Sequence, residues 1–364
     1  MVQRPAIPKQ PPTFVFKAIQ KVRNALSRVR RALVPADAAI LEIIANKWVG
    51  HAVYAAAALE IPDAFTDEMM TVAELARRTD TDEDALYRLM RLLASQGIFK
   101  EVRNRTFALT PMARALRSGQ GSIRNMVMFQ FAPYFQRAWF DIARCVKTGE
   151  PALERTLGQP VFEFFKEHPE EAAYFDTAMY NDCFQSAAAV VAAHDFSEAG
   201  TVVDFGGGLG VLLACILAKF PSTRGVLLDL PHVVAHAAPV FETFGVSDRV
   251  EIVGGDFFES VPRGDTYIGR NIVHSFDDEP CVRILSNIHR AMNPEGALLI
   301  VDTIIAEDNG PSFGKLLDVN MLVASGGRER TEREHEGLLN RTGFRIERVT
   351  HIFSPYSIIV ARRS

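Results

Sequence analysis

The stretch VVDFGGGLG, residues 202–210, decides the fold. It joins a short β-rich run to the helical VLLACILAKF, so a glycine turn sits where the carboxyl end of a strand faces a helix N-terminus. Open α/β sheets bind their ligands there, and glycines let the chain turn tightly and let a ligand approach the backbone. A dinucleotide fingerprint needs G-x-G-x-x-G; counted from Gly206 and Gly208 its third glycine position holds Val211, so that match fails. What remains is G-x-G-x-G from Gly206, Gly208 and Gly210, placed after Asp204. Taken alone, such a turn is also an ordinary strand-to-helix connection.

Downstream, GVLLD, VEIVGGD, TYIGRNIVH and GALLIVD read as further strands separated by helix-length segments. That alternation predicts a doubly wound parallel sheet. FRIERVTHIF and SIIVARR, on either side of Ser354-Pro355-Tyr356, predict a closing hairpin at the sheet edge. Asp229 ends the second strand, where a carboxylate can accept both ribose hydroxyls of a nucleoside. Asp256 ends the third with Phe257 beside it, an acid for an adenine amino group and a ring to lie against the base. Each acid alone could be a surface residue or a helix cap; three at successive strand ends behind a glycine loop point to a nucleoside site. His274 follows on the fourth strand, where a lone histidine is usually structural. Beside a methyl donor it suits a general base, since an imidazole (pKa about 6.5) can take a phenolic proton as the hydroxyl attacks. The sulfonium of such a donor is already activated, so no metal is called for.

Upstream, residues 37–120 read as helices followed by a short hairpin. Thr71 and Thr81 can each cap a helix, Gly97 ends the second, and IFKEV and TFALT form a wing around the turn RNR. Helix, turn, helix and wing suggest DNA binding or dimerisation. The would-be recognition segment DTDEDALYRLMRLL opens on acids that repel phosphate, which favours dimerisation. The run IIANKWVGHAVYAAAALEI is apolar almost all round and predicts a buried helix. Residues 121–200 predict aromatic-rich helices suited both to a core and to a flat apolar ligand.

The first 36 residues hold eight Lys/Arg and no acid, with Val15, Ile19, Val22, Leu26, Val29 and Leu33 spaced as on an amphipathic helix. Such a segment is a transit peptide or membrane-surface helix, or a helix covering a partner subunit; the heptad-like spacing favours the last. At 364 residues, 48% hydrophobic and 23% charged, the chain has the composition of a globular protein of two domains or one large one. A net charge of -4 offers no global attraction to nucleic acid or acidic membranes. No apolar run reaches the roughly 18 residues of a membrane span. Cys145, Cys183, Cys215 and Cys281 form no C-x-x-C pair, so neither a disulfide framework nor a zinc site is expected, and the expected compartment is the reducing cytoplasm.

VVDFGGGLG, LLDLPHVV, GGDFFESVP, IVHSFDDEPCVRIL and GGRERTEREHEGLL, in that order, resemble the S-adenosylmethionine-dependent O-methyltransferases of small molecules, the caffeate, hydroxyindole and bacterial phenazine or polyketide enzymes. The resemblance runs from about residue 40 to the end. It implies a Rossmann-like seven-stranded methyltransferase domain (201–364) behind a mostly helical winged-helix dimerisation domain (37–120), with a connecting region (121–200) lining the substrate pocket and a basic extension (1–36). It further implies a homodimer that methylates a hydroxyl of a small aromatic acceptor, binding no nucleic acid and not inserting stably in membranes. By position, the DFGGGLG loop would hold the methionine part of S-adenosylmethionine, Asp229 and Leu230 the ribose, and Asp256 and Phe257 the adenine; Arg270 stands where many members place lysine. His274 matches the base, and Asp302 and Glu329 the acids that flank it, the first being often glutamate. Met179 matches a methionine that clamps the aromatic ring, while Asp182, Asn320 and Met321 fall at variable pocket positions. Ser275 and Phe276 replace a common aspartate and tryptophan. The alternatives are a relative acting on nitrogen or in a non-methylating reaction, and a winged-helix DNA-binding regulator.

Overall fold

Along β4 (Thr201–Phe205) and β5 (Arg224–Asp229) successive apolar side chains point to opposite faces of one sheet. Val202 and Leu227 enter a core with Leu213, Ile216 and Phe241, while Val203 and Leu228 enter another with Ile284, Leu285 and Leu338. Both faces are therefore covered by helices, as a parallel sheet requires. The computed structural model shows this for the described residues, which are 13–119, 121–352 and 354–364. The first twelve residues of the basic extension lie outside them.

The remaining strands are β1 (Met69–Thr71), β2 (Phe99–Arg103), β3 (Thr106–Leu109), β6 (Val250–Gly254), β7 (Gly264–Arg270), β8 (Met292–Asp302), β9 (Phe344–His351) and β10 (Ser357–Arg363). Among the described residues, seven strands form one sheet in the order β6-β5-β4-β7-β8-β10-β9. From β6 to β8 the pairings are parallel; β10 runs antiparallel between β8 and β9, and β9 is the edge of the expected hairpin. The chain leaves β4 toward β5 and β6, then crosses back to β7 on the other side of β4. The loops after β4 and β7 thus flank the switch point at which open α/β sheets form their ligand crevice.

Contacts divide the chain into two compact units, one built from the described part of 1–24 with 138–156 and 183–364, the other from 25–137 and 157–182. In the second unit Thr71 caps helix Val72–Thr79 through a capping box with Glu74. The next helix, Glu83–Ser95, takes Asp82 as its cap rather than Thr81, whose hydroxyl meets Thr79 at 3.0 Å. Gly97, with φ 77°, ends that helix. β2 and β3 form the wing, and β1 completes a three-stranded sheet in the order β1-β3-β2. The acids that opened the would-be recognition helix face the wing: Glu83 and Asp84 pair with Arg105 at 2.9 and 3.6 Å. Phe129, Phe165 and Phe175 pack ring against ring in the same unit.

The helix Ala36–Ala58 is buried only toward its end, at Ala52, Ala56 and Ala57. Its first half departs from the expectation of burial, for Ile40, Leu41, Ile43, Ile44 and Trp48 are exposed within the single chain. The preceding helix Thr13–Ala32, together with Leu33 just beyond it, likewise exposes Ile19, Val22, Leu26, Val29 and Leu33. No helix of the described residues is long and apolar enough to cross a membrane.

Candidate active site

The glycine loop is shaped by its alternate residues. Gly206, Gly208 and Gly210 have φ of 67°, 60° and 80°, a left-handed geometry that a side chain would strain. The Asp229 carboxylate ties the loop to the end of β5, accepting from Gly208 N–H at 2.8 Å and from Leu230 N–H at 2.7 Å. Burial raises its pKa, against those two hydrogen bonds. A carboxylate offers about four acceptor positions, so Asp229 keeps capacity for further donors. Asp204, at the end of β4, is 1% exposed. Burial first, and then the neighbouring Asp229, push its carboxyl up to about 7, and its Oδ2 has no partner among the described residues.

The other loops close on this one. A Cβ built on Gly206 would meet the side chains of Ile272 and Phe257, which brings the chain after β4, β6 and β7 to one place. Asp256 accepts from Phe258 N–H at 2.8 Å, which turns the chain so that Phe257 faces the loop. Arg270, the last residue of β7, donates to the Tyr356 hydroxyl at 3.0 Å with its guanidinium 4.6 Å from that ring's centre. Its charge lowers the pKa of both Asp204 and His274, the smallest of the contributions at each.

β7 stops at Arg270, four residues before His274, which lies in a 3-10 turn, Val273–Ser275. The turn is made by Asn271, whose φ is 57°, a conformation asparagine tolerates better than most side chains. Asp302, wholly buried at the end of β8, accepts from Asn271 N–H at 2.9 Å and from His274 N–H at 3.2 Å. It therefore fixes the main chain of His274 and makes no hydrogen bond to the ring. The ring belongs to Glu329: Nδ1–H donates to Oε1 at 2.6 Å, with both side chains buried. Burial works to lower the His274 pKa, but the Glu329 hydrogen bond and the charges of Asp302 and Glu329 outweigh it and raise the imidazole above its ordinary value. Burial holds Glu329 up as well, against the pull of His274. Glu329 is itself placed by its N–H, which donates to Asp318 at 3.0 Å.

Asn320 and Met321 are half-buried on the helix Phe313–Ala324, and Asn320 Oδ1 accepts from Trp139 Nε1 at 3.3 Å. Met179 and Asp182 lie about a turn apart, half-buried, on the helix Pro169–Ala193, in the second unit. The structure thus joins Asp204, Gly206, Gly208, Asp229, Leu230 and Phe257 by contact, and joins His274, Asp302 and Glu329 by hydrogen bonds. The sequence reading passed over Asn271, Asp318, Trp139 and Tyr356. Only Asn271 carried a local signal, an asparagine at the end of a strand pattern.

Residues 139–345 match the model of an O-methyltransferase domain, and residues 41–119 that of an O-methyltransferase dimerisation domain. The chain belongs to the O-methyltransferase family. It is 40% identical over 334 residues to phenazine O-methyltransferase PhzM of Lysobacter antibioticus, covering 92% of this chain and 98% of that one. It is 36% identical to the mitomycin biosynthesis 6-O-methyltransferase of Streptomyces lavendulae, over 87% of this chain and 91% of that one. The 8-amino-8-demethylriboflavin N,N-dimethyltransferase of Streptomyces davaonensis is also 36% identical, over 86% and 92%. Among solved structures, LaPhzM superposes with a TM-score of 0.83 at 41% identity, covering 91% of this chain and all of that one. CalO1, a methyltransferase of calicheamicin biosynthesis in its SAH-bound form, gives 0.81 at 34% identity, over 93% and 99%. NcsB1, in complex with S-adenosylmethionine and 2-hydroxy-5-methyl naphthoic acid, gives 0.72 at 28%, over 87% and 96%.

This methyltransferase is an S-adenosylmethionine-dependent enzyme with a dimerisation domain. Its residues fit that cofactor. S-Adenosylmethionine carries an ammonium and a sulfonium, and beside the glycine loop lie a buried carboxyl with an unpartnered oxygen, Asp204, and a second acid 25 residues on, Asp229, with spare acceptor capacity.

Proposed function

We propose that this methyltransferase transfers the methyl group to a hydroxyl of a small aromatic acceptor, with His274 as general base. The observation that carries the reading is the buried 2.6 Å hydrogen bond between His274 Nδ1 and Glu329, at the switch point beside the glycine loop. With Nδ1–H committed to the carboxylate, a neutral His274 presents Nε2 as its proton acceptor. Glu329 then stabilises the imidazolium that forms, while Asp302 holds the turn in place. Bound S-adenosylmethionine supplies an electrophilic methyl group, already activated by its sulfonium. Asp204 and the loop Gly206–Gly208 would hold its methionine part, Asp229 and Leu230 its ribose, Asp256 and Phe257 its adenine, and Arg270 would stand beside it. Met179, Asp182, Asn320 and Met321 would shape the acceptor site, with Trp139 orienting the Asn320 amide. The domains would run 37–120, 121–200 and 201–364 behind the basic extension.

His274→Ala should lower kcat about 10²–10⁴-fold, the usual worth of general-base catalysis, and leave S-adenosylmethionine affinity by calorimetry nearly unchanged. Near-normal turnover at neutral pH would refute the base. A nitrogen acceptor is the second reading, favoured by the similarity to an N,N-dimethyltransferase; mass spectrometry of products from paired phenol and arylamine acceptors separates the two.

A further inference from the structure

The segment 326–331, GGRERT, grips the His274 turn by more than Glu329. Arg330 is 1% exposed. Its Nη1 donates to the carbonyl oxygen of Val273 at 3.0 Å and its Nη2 to that of Phe276 at 3.0 Å. Those carbonyls bracket His274, one residue before it and two after. Nε and Nη2 also donate to Asp278 Oδ1, at 3.1 and 2.8 Å. Gly327 presses on the same turn: a Cβ there would fall on the carbonyl oxygen of His274 and on the Ser275 carbonyl. Both are backbone atoms, which cannot swing aside as a side chain can.

A buried guanidinium persists only where its charge and donors are met; here Asp278 meets the charge, and two of the donors go to main-chain carbonyls around one histidine. A planar fork of donors fixes two carbonyls at once, which an ammonium cannot do. We propose that Arg330 is a positioning residue for the methyl-transfer reaction, locking the backbone on both sides of His274 so that the ring meets Glu329 in one register. Two consecutive residues then act on one turn, Glu329 on the ring and Arg330 on the chain that carries it, and neither can drift without the other. The proposal rests on the reading of His274 as the base.

The charged and titratable groups around this unit come from several elements. Glu329, Asp302 and Arg270 face His274. Asp318, from the helix Phe313–Ala324, stands behind Glu329. Asp278 and Cys281, from the helix Asp278–Ala291, face Arg330, and so does His335, which burial keeps neutral with a pKa of about 4. Arg328 and Arg341 share the field of Asp278.

Two variants test the clamp. Arg330→Lys keeps the charge and removes the fork, and Asp278→Asn leaves the guanidinium but removes the half-exposed carboxylate that aims it. The His274 resonance, followed by NMR in protein with labelled histidine and assigned by its loss in His274→Ala, should titrate at lower pH in both variants as the ring leaves Glu329. In Arg330→Lys the charge is unchanged, so such a shift reports geometry. The kcat should fall about 10–100-fold in Arg330→Lys, as for misplacement of a catalytic group by about an ångström, and less in Asp278→Asn, with the KM for S-adenosylmethionine within about twofold. An unshifted His274 titration in both variants, with turnover lost only in proportion to folded protein, overturns the clamp. Wild-type turnover in His274→Ala overturns the base and the clamp with it, and is read independently of the titration.

Discussion

His274 is held by two carboxylates that do different work, Glu329 on the imidazole and Asp302 on the peptide N–H. Only the first touches the imidazole ring, and it does so at Nδ1, which leaves Nε2 open. The raised His274 pKa gives the sign of the pH dependence: as the proposed base it would work when neutral, so kcat/KM should fall as pH drops through a value above that of a free imidazole. Glu329→Gln removes the hydrogen-bonded charge that raises it. The acid limb should then move to lower pH, with a smaller loss of kcat than in His274→Ala; an unmoved limb would mean that Glu329 does not set the histidine. Asp229→Ala should weaken S-adenosylmethionine by about 1.5–3 kcal/mol in calorimetry, the cost of charge-assisted hydrogen bonds. Much of this site was legible because its residues sit at strand ends, where a short apolar run announces the position of the next acid. The division of labour between Asp302 and Glu329 was not, since it depends on Asn271 turning left-handed and bringing main-chain N–H groups to Asp302. Arg330 lay in a quoted motif, but which carbonyls it meets is a matter of tertiary packing.

At the scale of elements, local chemistry is readable where the partners are close in sequence. Thr71 with Glu74, and Thr331 with Glu334, are reciprocal caps within one turn. Thr331 starts the helix Glu332–Asn340 directly after Glu329 and Arg330, so Thr331→Ala should cost about 1 kcal/mol. A thermal midpoint lower by about 1–3 °C is the matching observation; an unchanged midpoint would leave the cap without energetic weight. β1 escaped the sequence because three residues carry no period, and it exists only through pairing with β3. Thr81 lost the cap to Asp82, one position on, since it is Asp82 Oδ1 that meets Ala85 N–H, at 2.8 Å. The apolar run of the helix Ala36–Ala58 announced burial correctly for Ala52, Ala56 and Ala57, but the sequence could not say that the chain itself covers only that end.

Over the whole molecule, the exposed Ile40, Leu41, Ile43, Ile44 and Trp48 flank or lie within the segment that matches a dimerisation domain. Light scattering should give twice the single-chain mass at micromolar concentration, and Ile44→Glu with Trp48→Glu should halve it; a wild-type monomer would contradict the dimer. The seven-stranded sheet holds one further consequence, in the order in which its strands are made. β10 lies between β8 and β9 yet follows both in the chain. On the ribosome, β8 and β9 emerge with the slot between them empty, and the edge of β8 over Leu298–Val301, residues wholly buried in the finished sheet, stays unpaired until β10 is delivered. An open apolar edge is a template for the wrong partner. Closure therefore follows synthesis, and a nascent chain stalled before Ser357 would be a client for chaperones or a seed for aggregation, although every residue of the His274 turn had already been made.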